Sequence, residues 1–579
     1  MSIPKNFVDT PGRDLVPVWS STAKSITVHY EFEGTHELEM KNYGGWWVSP
    51  SPLPPGATYR YSVDGGAPVA DPRALRRPAG VHGPAQTWQP PKIKHFDAGD
   101  LLGKVFMEIH IGTFTPEGTL EAAAHKLGHL ADLGVQVVEV MPVAPFPGTF
   151  GWGYDGVSLY AVHEAYGGPD GFVHFVEAAH DLGIAVCLDL VLNHFGPVGN
   201  YIAALDNYYS SKHETPWGAA LDLDGDNAVH TREFLKGAAL HWLRNMGVDA
   251  LRLDAVHALD DDSSYHFLAE LSDDVAKLEA QTGRTFTLIA ESDLNDPIMV
   301  TPTDKGGRGM DAQWDDDVHH ALHAAFTGET HGYYADFEPR EALVAAFEDV
   351  FFHAGTYSSF RGKMWGAPVS KDIDRRRFVI SSQNHDQVGN RAIGDRPSQV
   401  LSDAQLGSVA ALVLLSSFTP MLFQGEEWAS RSPFLFFSDQ EGDEEMARAM
   451  RDGRRAEFAS HGFDSIYGRK VTVPDPTVRS TFAASKLDWQ TAQCEAGKRM
   501  LAWYKKLIQI RKEEATTGKP MQVRFDEDLL RMRSGHLEVI VNMGASTARP
   551  AVGEKQRLIL TWSGNAGDLQ PGEAAIYNS

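Results

Sequence analysis

Eight short apolar runs punctuate the middle of the chain, with little of the polar alternation of a strand that faces water on one side. They are VFMEIHI (105–111), VQVVEVMP (135–142), IAVCLDLVL (184–192), VDALRLD (248–254), FTLIAE (286–291), GMDAQW (309–314), FVISSQN (378–384) and TPMLFQG (419–425). Strands that are apolar on both faces belong to parallel sheets covered by helices. Helix-period segments lie between them, over 120–134 (closed by Gly134), 171–183, 231–246, 264–282 and 316–326. Eight strand–helix units in succession predict an α/β fold, a (β/α)8 TIM barrel over 105–515. An open doubly wound sheet is the alternative, but no GxGxxG follows the first strand.

The pattern differs at both ends. ITVHYEF (26–32), GGWWV (44–48) and TYRYSVDG (58–65) are aromatic or β-branched runs between Gly, Pro and Asn turn signals. They predict an N-terminal β-sandwich over 1–90, joined to the barrel by a Pro-containing linker, 91–104. Alternating runs at 521–535, 537–544, 557–564 and 573–579 predict a C-terminal β-sandwich over 516–579. Residues 195–230 carry no clear periodicity, and a connection of that length inside a barrel is usually functional.

Composition narrows the class of protein. The 579 residues carry a formal charge of −25, which argues against nucleic acid or an anionic membrane as the main partner. A neutral substrate fits that balance. Aromatics make up 10% of the chain, with 13 Trp, and such rings grip flat amphipathic ligands such as sugars. Only two cysteines occur, and the N-terminal segment lacks an apolar signal core, so a cytoplasmic protein without a disulfide framework is expected.

Barrel active sites lie at the C-terminal ends of the strands. The third strand ends in Asp189, Asn193 and His194, the fourth in Arg252, Asp254 and His257, the fifth in Glu291, and the seventh in Asn384, His385 and Asp386. One strand-end aspartate is as often a helix cap, but four such ends together mark a site. His194, Asp254, His257 and His385 could bind a metal, yet no HxH, HExxH or CxxC spacing is present. No metal or cofactor is expected.

Glycosidic cleavage fits better, since a retaining glycosidase needs a carboxylate nucleophile and a carboxylic acid about 5 Å apart. Arg252 and Asp254 share a strand face because side chains alternate, so the guanidinium favours a charged Asp254. Glu291 ends an apolar run opposite Asp386, a setting that keeps an acid protonated. Glu108 and His110, on the first strand, are expected to be buried support. Trp217 is a candidate substrate contact in the long loop. Asp311, Trp314, Asp315 and Asp316 after the sixth strand, and Phe423, Glu426 and Glu427 after the eighth, are further candidates around the mouth. His319, His320 and His323 share a helix and read as a packing and solvent face rather than a metal site.

DLVLNH (189–194), LRLDAVH (251–257), the Glu of LIAES (288–292) and QNHD (383–386) resemble the four ordered signature segments of the α-amylase family of glycoside hydrolases. The resemblance implies that Asp254 is the nucleophile, Glu291 the general acid/base and Asp386 the transition-state stabiliser. It implies that Arg252 and Asp189 support the nucleophile, and that His194, His385 and Tyr154 contact the sugar on the cleaved side. Longer stretches, among them 310–337, 418–439 and SKLDW (485–489), resemble the trehalose-releasing branch of that family. That branch has a sandwich on either side of its barrel. It hydrolyses the α-1,4 bond next to a terminal trehalose of a maltooligosaccharide, a neutral α-glucan partner.

EIHIGTF also resembles the branching group, so a glycogen-branching transferase or a debranching hydrolase is the alternative. A catalytically dead binding protein is opposed by the intact Asp254, Glu291 and Asp386. Many amylases carry Lys-His after the nucleophile where this chain has His257-Ala258, so the leaving-group side should differ, with His257 a substrate contact. Asn193 matches an amylase calcium ligand, but no further ligand loop accompanies it, and calcium is not expected.

Overall fold

The architecture is that of a computed structural model, which describes residues 14–215, 218–460, 467, 471–514, 517–565 and 567–578. Eight parallel strands close into a barrel: β1 Phe106–Ile109, β2 Val137–Val140, β3 Ala185–Leu190, β4 Ala250–Leu253, β5 Thr287–Ala290, β6 Ala312–Trp314, β7 Phe378–Ser381 and β8 Thr419–Phe423. Each lies inside one of the eight apolar runs. Phe106, Val137, Ala185, Cys187, Ala250, Ile289, Ala312, Trp314, Val379 and Met421 fill the interior. The alternate positions, such as Met107, Val138, Leu188, Leu251 and Leu253, join the outer core beneath the helices. The two-residue alternation is therefore intact, but both faces are apolar.

The helices follow their predicted spans closely, at Gly168–Asp181, Ala228–Asn245, Phe267–Thr282 and Asp316–Thr327. The expected helix 120–134 is two pieces, Leu120–Ala124 and Leu127–Leu133, the second closed by Gly134 at φ 103°. Linker residues 91–104 form no helix or strand, yet they are not a loose tether. Ala98 and Leu101 pack into the barrel interior, Phe96 stacks on His180 at 4.0 Å, and Asp97 accepts from Thr285 N at 3.0 Å just before β5. The linker thus plugs the N-terminal end of the barrel, leaving the opposite end for the site.

The N-terminal region is a sandwich of a three-stranded sheet (18–19, 46–48, 41–43) and a four-stranded sheet (35–39, 26–31, 58–63, 85–86). Val18, Ile26, Val28, Trp47, Tyr59 and Tyr61 form its shared core. The C-terminal strands form one five-stranded antiparallel sheet. One face, with Met532, Val539 and Ile576, packs on the barrel side, where Ser408 of helix Asp403–Leu414 donates to Gly572 O at 2.7 Å. The other face, with Ile540, Ala575 and Tyr577, is covered by Leu569 from a loop pair bridged at Ala548 and Leu569. The second layer expected of a sandwich is there a bridged loop, among the described residues. The long connection 195–230 carries an antiparallel strand pair, Tyr209–Thr215 and Gly218–Leu221. Among the described residues, no helix is long and apolar enough to cross a membrane.

Candidate active site

The inward parity of β4 passes from Ala250 to Arg252, which brings a guanidinium into the barrel at its C-terminal end. Arg252 is fully buried, with its guanidinium carbon 4.2 Å from the centre of the Trp314 ring. Its Nη1 donates to both oxygens of Asp189, at 2.9 and 2.8 Å, and to Asp254 Oδ1 at 2.8 Å. Nη2 lies 3.7 Å from Glu291 Oε2. Carboxylates from three consecutive strands thus converge on one cation. Beyond Asp254 the chain turns through Ala255 at φ 40°, and the Ala255 N–H donates to Glu291 Oε2. Asn193 Nδ2 donates to Asp254 Oδ2 at 2.8 Å and to its carbonyl at 2.7 Å.

A second arm comes from β7 and β1. His385 is buried, with Nδ1 and its backbone N–H both against Glu108, the latter at 2.8 Å. Its Nε2 lies 2.7 Å from Tyr154 Oη and 3.4 Å from Asp386 Oδ2. Tyr154 stacks on the His385 ring and donates to Asp189 Oδ2 at 2.6 Å, so the two arms meet at its hydroxyl. Asp386 keeps 41% of its side chain exposed, and Glu291 15%, so both open toward solvent.

The family model for the alpha amylase catalytic domain matches residues 94–218. Malto-oligosyltrehalose trehalohydrolase of Arthrobacter ramosus is 45% identical over 97% of this chain and 97% of its own length. The chain belongs to the malto-oligosyltrehalose trehalohydrolases. The Mycobacterium tuberculosis trehalohydrolase is 43% identical over 94% of this chain and 95% of its own. A crystal structure from Salmonella typhimurium described as an alpha amylase superposes with a TM-score of 0.87, at 34% identity over 97% of both chains. This trehalohydrolase family therefore supplies the frame for the remaining features of the mouth.

Its electrostatics separate the carboxyl groups. Burial lifts Glu291 to about 8, against the pull of Arg252 and with a further push from Asp254, Asp386 and Asp316. Burial likewise raises Asp189 to about 6 and Asp316 to about 7. Burial opposes a charged His385, but Asp386 and Glu108 outweigh it and raise the imidazole to about 9.

The expected residues Asp189, Asn193, Arg252, Asp254, Glu291, His385, Asp386 and Tyr154 are brought together. His194 closes the same edge, its Nε2 3.0 Å from Tyr154 O and its Nδ1 against Asn193 Oδ1. The Asn193 amide is thereby held between His194 and Asp254. His257 is half-buried and accepts from Asp293 N at 3.3 Å. Asp293 in turn pairs with Arg361, and its carbonyl accepts from Trp365 Nε1 at 2.8 Å. Trp217 lies outside the described residues.

Other candidates sit elsewhere. Asp311 precedes β6, where its carboxylate accepts from Leu288 N at 2.9 Å, away from the strand ends that form the mouth. Trp314 is the floor beneath Arg252, and Asp315 caps helix 316–327 by accepting from Asp317 N at 3.1 Å. Phe423 is fully buried in a cluster that includes Trp152 and Phe434. Glu426 accepts from Tyr504 Oη at 3.1 Å, and Glu427 lies 3.0 Å from His129 Nε2, both buried under the outer helices rather than facing sugar. His319 and His320 are buried and His323 is half-buried, and His319 stacks on His323. His110 is buried support, bonded to Gly151 O and pushed down to about 3 by burial. Sequence reasoning missed that Glu108 holds His385 and that Trp314 underlies Arg252. The only sign of the first was a carboxylate inside an apolar strand.

Proposed function

We propose that this enzyme hydrolyses the α-1,4-glucosidic bond next to the terminal trehalose of maltooligosyltrehalose, releasing trehalose and a maltooligosaccharide. The reaction is a step of trehalose biosynthesis. The observation that carries this reading is the near full-length likeness to trehalohydrolases. Asp254 is the nucleophile, since Arg252 and Asn193 both donate to its side-chain oxygens and hold them in place. Glu291, still protonated near neutral pH, is the general acid that protonates the leaving oxygen. Trehalose departs as Asp254 bonds to the anomeric carbon, and Glu291, now ionised, deprotonates the water that releases the maltooligosaccharide. Both groups flank one guanidinium, and the double displacement through Asp254 retains the anomeric configuration.

Asp386 faces the developing positive charge of the ring as the stabilising carboxylate. Tyr154, His194 and His385 line the cleaved-sugar side. His257 is the contact on the trehalose side, and Trp217 is a further candidate substrate contact on sequence grounds alone. The enzyme resides in the cytoplasm, consistent with Cys187 and Cys494 forming no disulfide. The test compares products from maltooligosyltrehalose and plain maltooligosaccharides of equal length. Trehalose release should be far faster than release of glucose or maltose. Equal rates on the two substrates would overturn the reading.

A further inference from the structure

Glu139, on β2, is used by no step described so far. It points into the barrel, two residues after the interior Val137. Strand register sets it beside Glu108 of β1 and Cys187 of β3. It is 1% exposed, and neither carboxylate oxygen has a nitrogen or oxygen donor among the described residues, only the weakly donating Cys187 thiol beside it. The titratable groups facing it are Glu108 from β1, Cys187 and Asp189 from β3, and Arg252 from β4. Glu108 is committed to His385, and the Nη1 of Arg252 to Asp189 and Asp254. An unpaired carboxylate in such a layer is far costlier than the neutral acid.

We infer that Glu139 is a positioning residue of this site, kept as the neutral acid so that Arg252 and His385 serve only the carboxylates above them. Its ionisation puts a second carboxylate beside Glu108 and competes with Asp189 for Arg252. Both cationic arms then lose their fixed partners. Burial, with Glu108 adding to it, raises the Glu139 carboxyl to about 8, in line with the geometry. The inference rests on the proposed roles of Asp254 and Glu291.

The experiment pairs infrared spectroscopy with a pH profile on wild type and Glu139→Gln, with Glu139→Met in reserve if the amide does not fold. At pH 7 the wild type should show a protonated-carboxyl band that either variant lacks. The alkaline limb of kcat/KM should be steeper in wild type than in the variant by the slope of one ionisation. No lost band, an unchanged slope, or a folded but inactive Glu139→Gln overturns the inference. The profile is read on whichever α-1,4-glucan the enzyme cleaves, so failure of the trehalose reading leaves both arms intact.

Discussion

Replacing Glu291 by glutamine should remove activity and at the same time remove a pH-dependent cost to the fold. Glu291 ionises near 4.5 in an unfolded chain and near 8 in the folded protein. Between those values the folded state keeps a proton that the unfolded state has lost. Its contribution to stability is therefore full below pH 4.5 and is lost as the pH rises through 8. Each pH unit in the window is worth about 1.4 kcal/mol. Wild type should lose about 3 kcal/mol relative to Glu291→Gln between pH 5 and pH 7.5. In a chain of this size that is a relative fall in Tm of roughly 2–3 °C. Glutamine keeps an acceptor for the Ala255 N–H, so the local turn is retained. Asp189, Asp316 and Glu139 titrate in both proteins and largely cancel in the difference. The assay is differential scanning fluorimetry of both proteins across that range at one scan rate. A Tm difference that does not change with pH, or that moves the other way, refutes the argument that a desolvated acid resides at Glu291.

Other outcomes follow from the same geometry. Loss of the Glu291 proton should make kcat/KM of wild type fall above about pH 8, checked by initial rates across pH 6–10; a flat profile contradicts it. Asp254→Asn should abolish turnover, and wild type should release its product with retained anomeric configuration, read by NMR within the first turnovers; an inverted product removes Asp254 from its role. Arg252→Leu leaves Asp189 buried without its cation and should cost about 3–5 kcal/mol in urea unfolding; a near-neutral effect would show that the ion pair is not intact. Glu426→Gln should leave kcat/KM unchanged, because its carboxylate bonds Phe423 N and Tyr504 rather than sugar.

The barrel was legible because both faces of its strands are apolar, and the same property hid the parity of each strand. A strand that alternates apolar and polar announces which side faces the core. Strands such as FMEI and VVEV announce only that something ionisable is buried in them. Arg252 and Asp254 could be placed because two charged positions with equal parity fall at one strand end. Asp311 is also strand-associated, but it precedes β6, and a short strand with charge at both ends does not show which end is the mouth. Glu426 and Glu427 follow β8 as expected, yet a short 3-10 turn aims them at helix Glu495–Glu514 and His129, contacts nearly 80 and 300 residues away in sequence. Glu108 and Glu139 were visible as anomalies, and their pairing across β1 and β2 needs only the register. One guanidinium and one imidazole then serve a floor holding more carboxyl groups than cations. Such a site can work only if some of its acids stay protonated. That requirement is met by burial at Glu291, where the proton is needed for chemistry, and at Glu139, where it keeps the cations in place.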